Sequence, residues 1–225
     1  MKISKETFAI LRNFASINQN ILFKPGNMIR TAVTGDVKDF YATANVSETF
    51  PVECALFDLK RFRDCASLFE DPDFDFSETF MTISDSKNSF RYTYCNQNII
   101  DVPNYDKKII IKNPLVEFEL KYEQIKMAIE ASNILTLQHV VISGEDGVIS
   151  MTAFDDQNKS SDTFKVTICE GKECENFTSK YSIEKLRRLI DADYVVTIST
   201  QVLSEFKSDL VTYHVGGEIK VNGAE

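Results

Sequence analysis

Four cations, Lys180, Lys185, Arg187 and Arg188, fall within the stretch KYSIEKLRRLI. Lys60, Arg61 and Arg63 fall within DLKRFRDCASLFE, and Lys5 and Arg12 stand near the start of the chain. Such side chains neutralise phosphate oxygens, lysine as a point charge and arginine as a planar fork. Glu70, Asp71, Asp73, Asp75 and Glu78 form the opposite kind of cluster, one that could hold a divalent cation. As a calcium loop starting at Asp71, the run has Phe76 where glycine is needed and Thr82 where glutamate is needed. It therefore reads as an acidic outer loop and strand, with a metal-dependent nuclease as a lesser alternative. The two histidines, His139 in an apolar strand and His214 near the end, belong to no motif. Cys169 and Cys174 make a C-x4-C pair, but the five cysteines are odd in number and irregular in spacing, as reduced structural thiols are. No G-x-G-x-x-G, phosphate loop, H-E-x-x-H or nucleophile elbow occurs. The expectation is no catalytic residue, no metal and no cofactor.

The elements that would carry the cations are short amphipathic helices. Over Ser4–Asn18 the apolar stripe is Phe8, Leu11, Phe14 and Ala15, and Lys5, Ala9, Arg12 and Ser16 fall on the opposite side. Over Asp58–Glu70, Asp58 is the cap, Leu59, Phe62, Ala66 and Phe69 the stripe, and Lys60, Arg61 and Arg63 lie off it. Lys121–Ile134 turns Tyr122, Ile125 and Ile129 inward and carries Lys126. Over Lys180–Ile190, with Ser182 as cap, the stripe is Ile183, Leu186, Leu189 and Ile190; Lys180, Arg187 and Arg188 lie off it and Lys185 at its edge.

Between these helices the apolar period is two, as in half-buried strands separated by Gly, Pro, Asn and Asp turns. Asn96–Asn113 breaks the rhythm and reads as a connector between a domain over 1–95 and another over 114–225. Gly216-Gly217 begins a short tail. A strand runs straight into a short helix at 52–70, 116–134 and 177–190, and Leu59, Tyr122 and Ile183 are spaced about 60 residues apart. With the first helix this makes four helix-then-strands copies, two per domain. The fold class is α+β: two similar domains of paired antiparallel sheets, each with two short helices.

Charge follows the elements. The windows 2–18, 58–70, 121–134 and 180–190 hold twelve Lys and Arg against seven Asp and Glu. The whole chain has 25 against 34, a net charge of -9, so everything outside the helices totals -14. Lys121–Ile134 adds nothing, because Glu123 and Glu130 cancel Lys121 and Lys126. Charged residues covering the solvent side of amphipathic helices would be the ordinary account. A segregated positive surface on an acidic protein also suits a polyanion held on one face and repelled elsewhere. No aromatic–basic interleaving marks base stacking, so the contact would be with phosphates and independent of sequence.

The opening MKISKETFAILRNFASIN resembles the N-terminus of the sliding clamps of T4-type tailed phages, the DNA polymerase processivity factors. Ile99-Ile100-Asp101-Val102-Pro103-Asn104 resembles that family's connector, which also places two apolar residues shortly before Pro-Asn. Length, repeat and acidic charge agree along the chain. The resemblance implies a clamp fold like that of proliferating cell nuclear antigen, a homotrimeric ring of two-domain protomers, helices lining the hole and duplex DNA passing through. It further implies an ATP-driven clamp loader, and polymerase and late-transcription factors (sigma and co-activator) that attach by C-terminal peptides to an apolar pocket near the connector. Lys5 and Arg12 match basic positions of the family. Lys60, Arg63, Lys126, Lys180, Lys185, Arg187 and Arg188 join them as DNA-facing candidates by helical geometry. Ile99, Val102, Pro103 and Tyr105 are candidates for the peptide pocket; anchoring the connector to the domains is their other reading. A structural or assembly protein of a phage is the alternative, one without reason to segregate charge by element. With no membrane span and no apolar signal region, the expected location is the cytoplasm of the host cell.

Overall fold

In the computed structural model, residues 1–106, 108–158 and 160–221 are described. The chain forms two compact units, Met1–Lys107 and Lys108–Glu225. The first contains α1 (Lys5–Ile17), β1 (Ile21–Phe23), β2 (Gly26–Ala32), β3 (Phe40–Phe50), β4 (Cys54–Leu56), α2 (Leu59–Ala66), β5 (Asp73–Phe76), β6 (Phe80–Ser84) and β7 (Ser89–Thr93), then a 3-10 turn at Gln97–Ile99. The second contains β8 (Pro114–Leu120), α3 (Tyr122–Leu135), β9 (His139–Glu145), β10 (Val148–Phe154), β11 (Phe164–Cys169), β12 (Phe177–Ser182), α4 (Ile183–Leu186), β13 (Tyr194–Ser199), β14 (Leu203–Lys207), β15 (Val211–Gly216) and β16 (Glu218–Val221).

Every pairing within a unit is antiparallel, as the short loops require. In the first unit β1 pairs with β4, β2 with β3, and β6 lies between β5 and β7. In the second, β9 and β10 form a hairpin flanked by β12 and β11, with β16 on β12; a separate ladder runs β8, β13, β14, β15. On β3, Phe40, Ala42, Ala44, Val46, Glu48 and Phe50 alternate inward, the two-residue period expected of a strand covered on one face.

The cores differ in chemistry. The first unit is closed by phenylalanines: Phe23 stacks on Phe50 with centroids 4.3 Å apart, and Phe62 meets Tyr92 edge to face at 5.7 Å. The second uses tyrosines. Tyr181 meets Phe206 at 5.9 Å, and Tyr194 meets Tyr213 at 6.2 Å. Burying a phenol requires a partner for its hydroxyl; that of Tyr181 accepts from Ser179 and donates to Ser204, both at 2.7 Å.

Four expectations are corrected. The inward stripe of α1 is Thr7, Ile10, Leu11, Phe14 and Ile17, with Phe8 and Ala15 half-buried. That of α3 is Ile125, Ala128 and Ser132, and Tyr122 is half-buried beside Asp191. The segment expected as a helix over 180–190 is strand as far as Ser182, followed by one turn of α-helix. The expected tail is the strand β16, which returns along β12 with Ile219 opposite Ser179. Gly217 makes that return possible: a Cβ there would lie 2.7 Å from the ring of Tyr181.

Candidate nucleic-acid interface

Ser4 begins α1 by accepting from the Thr7 amide at 3.1 Å. Behind the cap, the buried carboxylate of Glu48 on β3 accepts from the Ser4 amide and the Thr7 hydroxyl. Burial pushes the Glu48 carboxyl up, but the bonds from Thr7 and Ser4 outweigh it and hold the group below the usual glutamate value. An anion at this end also opposes the helix dipole. With the inward face fixed this way, Lys5, Ala9, Arg12 and Ser16 emerge on the side opposite the core, all four exposed.

On α2, Asp58 caps by accepting from the Arg61 amide at 2.8 Å, while Leu59, Phe62 and Ala66 are buried. Arg63 is thereby turned toward α1. Lys5, Arg12 and Arg63 line one groove of about 770 Å³, whose apolar side includes Phe8, Ala9 and Phe69. Lys60 is exposed and pairs with Asp64 one turn on, at 2.9 Å.

The candidates on the second unit are placed differently. Lys180 sits on β12, not on a helix, because Phe177, Ser179 and Tyr181 are needed as the buried side of that strand. Its ammonium lies 3.0 Å from Glu218 and 3.3 Å from Asp156. The Lys185 ammonium donates to the carbonyl of Gly216 at 2.7 Å. Arg187 is exposed and pairs with Glu184 at 2.7 Å, while also donating to the Asn133 side chain. Arg188 is half-buried beyond the single turn of α4. Lys126 is exposed on α3, 4.0 Å from Glu123.

The four connector candidates are not equivalent. Ile99 is 60% exposed and Val102 half-buried, but Pro103 and Tyr105 are buried. Tyr105 packs with Leu22 and Ala55, and Met28, Cys95, Ile100 and Val102 close around them. Its hydroxyl donates to the Leu22 carbonyl and accepts from the Arg30 amide at 3.1 Å. Lys24 and Arg30 stand 5.5 and 5.7 Å from its ring centroid. Burial pushes the phenol up to about 12. Nearby, the Asn18 side chain donates to the Asp101 carbonyl at 2.7 Å, and Lys38 pairs with the Asp101 carboxylate. Tyr105 therefore works as an anchor. Arg30, which holds the Tyr105 carbonyl at 2.8 Å, was not among the sequence candidates; its position in an ordinary strand gives no signal of that role.

Among the described residues no group of three or more His, Cys, Asp or Glu side chains gathers as metal ligands. Asp71 and Asp73 instead share Lys2, at 3.1 and 3.4 Å. His139 lies 3.3 Å from Asp156, and His214 lies 3.2 Å from Glu205. None of the five cysteines is in a disulfide, and burial drives the Cys54 thiol up to about 12. No helix of the described residues is long and apolar enough to cross a membrane.

No protein-family model matches the chain. It is 30% identical to the sliding clamp of Vibrio phage KVP40 over 224 residues, which cover 97% of this chain and 99% of that one. The chain belongs to the sliding clamp family. The clamp of Escherichia phage RB69 is 29% identical over 97% of both chains, and that of Enterobacteria phage T4 is 31% identical over 72% of this chain and 69% of its own. Solved clamps share the fold at much lower identity. The A. fulgidus PCNA bound to the C-terminal region of FEN-1 superposes with a TM-score of 0.71 at 12% identity, covering 96% of both chains. The Helicobacter pylori beta clamp bound to a DNA ligase peptide gives 0.72 at 14%, over 96% of this clamp but only 64% of that longer chain. The α+β architecture of antiparallel sheets with few helices is the clamp fold in each case.

Proposed function

We infer that three copies of this chain close into a ring around duplex DNA and tether the replicative polymerase to it, without catalysing a reaction. Near full-length likeness to phage sliding clamps carries this reading. The outer row Lys5, Ala9, Arg12, Ser16 supports it, because a tether that must slide needs mobile charge and no base-reading side chains. In this reading the exposed helix faces meet the duplex and the acidic remainder repels it. The polymerase attaches by its C-terminal peptide near the connector, where exposed Ile99 and half-buried Val102 are available to a partner and Val102 packs against the cluster of buried Tyr105. That solved clamps hold peptides from a ligase and from FEN-1 supports a peptide as partner. A clamp loader opens the ring, late-transcription factors share the peptide site, and the setting is the host cytoplasm. The first domain extends through the connector to its buried Tyr105.

Light scattering over a concentration series tests the ring: the expected particle has three times the 25.6 kDa of one chain. A monomer at every concentration would overturn the reading. Loaded on primed circular DNA, the ring should lengthen polymerase products, and linearising the template should abolish the gain.

A further inference from the structure

Tyr105 is one of two points at which the first unit grips the connector. The other is Asp101, whose amide, carbonyl and both carboxylate oxygens are all bonded. The amide donates to the Asn20 side chain at 3.1 Å, and the carbonyl accepts from the Asn18 side chain at 2.7 Å. One carboxylate oxygen accepts from the Gly35 amide at 3.0 Å, and the other pairs with Lys38. Asn18 and Asn20 are themselves buried and held in place. Asn18 donates to the Ala32 carbonyl at 3.0 Å and accepts from the Asn20 amide at 2.8 Å, and Asn20 donates to the Phe57 carbonyl at 2.6 Å. The end of α1 and the β2–β3 loop thus converge on one connector residue. It stands between Ile100 and Val102, both of which pack on the Tyr105 cluster.

We propose that Asp101 is a positioning residue for the partner peptide: it fixes the run Ile99–Val102 in the one register that turns Ile99 outward and leaves Val102 half open, so that the peptide meets a site already formed. Apolar contact is non-directional, so Ile100 and Val102 alone would tolerate a slip along their cluster. Hydrogen bonds have direction. The backbone is extended at Ile100, where successive side chains point to opposite sides. A slip of one residue would therefore exchange what is offered for what is hidden and press the Asp101 carboxylate onto Leu22 and Ala55. The bond from Lys38, and then that from Gly35, hold this carboxyl below the usual carboxylate range, so it is charged at neutral pH. A buried polar network with every member satisfied fixes a single arrangement. Without it the peptide would have to order the connector, and affinity would fall by the fraction of time spent in the competent form.

The proposal rests on the polymerase peptide binding at the connector. It is tested with the full chain and a synthetic peptide matching the C-terminus of the phage's own polymerase, by calorimetry, with every sample checked by light scattering. Asp101→Ala is expected to weaken the peptide about three- to tenfold, with a less favourable entropy of binding. Asp101→Asn keeps an acceptor for the Gly35 amide and should lose less. Lys38→Met should also weaken binding, yet add nothing when combined with Asp101→Ala, because Lys38 acts through Asp101. In the free wild type the Asp101 and Gly35 amides should be protected from hydrogen exchange, and Asp101→Ala should release Gly35. Should Asp101→Ala fail to fold, Lys38→Met, which leaves the other three bonds in place, carries the test. Wild-type affinity in a variant whose Gly35 amide is released would overturn the proposal, since Asp101 would then serve the fold alone. So would weakened binding with Gly35 exchange unaltered, which would make Asp101 a direct contact of the peptide. A wild-type chain that binds no peptide refutes the connector site and the proposal with it, while its mass still decides the ring.

Discussion

Replacing Tyr105 with Phe isolates what anchors the connector. The aromatic ring stays, so its packing on Leu22 and Ala55 and its cation–π partners Lys24 and Arg30 are kept. Only the hydroxyl is removed. In the β2–β3 ladder Arg30 is opposite Thr43, and its amide turns outward to the Tyr105 hydroxyl at 3.1 Å. Alternate residues of an antiparallel strand aim their amides away from the partner, so this one has no strand to bond on that side. Stranding a part-buried amide costs about 1–3 kcal/mol, and the donation to the Leu22 carbonyl goes with it. The expected destabilisation is about 2 kcal/mol, roughly a 30-fold rise in the opening equilibrium. Hydrogen exchange reads this directly: the Arg30 amide should exchange about 30-fold faster while amides of the second unit do not change. Denaturant unfolding of the first unit should shift its midpoint without changing its slope. Affinity for the polymerase peptide, measured on the same samples by calorimetry, should be unaltered. Unchanged Arg30 exchange together with weakened peptide binding would refute the anchor and return Tyr105 to the pocket.

Glu48→Gln should cost about 1–2 kcal/mol at neutral pH, since hydrogen bonds to a charged acceptor are the stronger kind. Because the folded carboxyl lies below its unfolded value, its contribution is complete above about pH 4.5 and fades as pH falls through the lowered value; the variant's stability should converge on wild type in acid, and a constant gap down to low pH would contradict the assignment. Gly144→Ala should destabilise the second unit by about 1–3 kcal/mol, because the new Cβ would fall 2.4 Å from the buried ring of Phe177; an unshifted unfolding midpoint would show that the ring can yield. Ile99→Ala and Val102→Ala should each weaken the polymerase peptide by a few fold without altering the mass of the assembly, and unchanged calorimetric affinity would move the pocket away from the connector.

Much of the fold could be read from periodicity. α1 and α2 begin at the caps that Ser4 and Asp58 suggest, because a side-chain acceptor before an apolar stripe is a local feature. The strand-into-helix repeat recurs at β4–α2, β8–α3 and β12–α4. Sequence was less informative where distant residues decide. Lys180 looks helical beside Arg187, but β9 and β16 on either side of it draw the residue into a sheet. Gly216-Gly217 looks like a fraying end, and only the ring of Tyr181 explains why a strand follows. The basic outer row of α1 was legible, since it depends on one helix alone. Which of the cations are paired was legible only in part: Glu184 is a local partner of Arg187, but Asp156 and Glu218 reach Lys180 from other segments. The sequence offers Tyr105 both as a pocket residue and as an anchor of the connector, because Arg30 and Leu22, which its hydroxyl bonds, lie 75 and 83 residues away.

The capping of α1 sets an order of events during synthesis. This helix is made before β3, and Glu48, which accepts from Ser4 and Thr7, follows about forty residues later. Asn18 at the other end waits for Asp101, 83 residues on, and the Leu22 carbonyl waits as long for Tyr105. Pairings so far apart in sequence close slowly. Until those partners are made, α1 must be held by its apolar stripe and its own Ser4 cap; β3 then completes its beginning, and the connector, later still, its end.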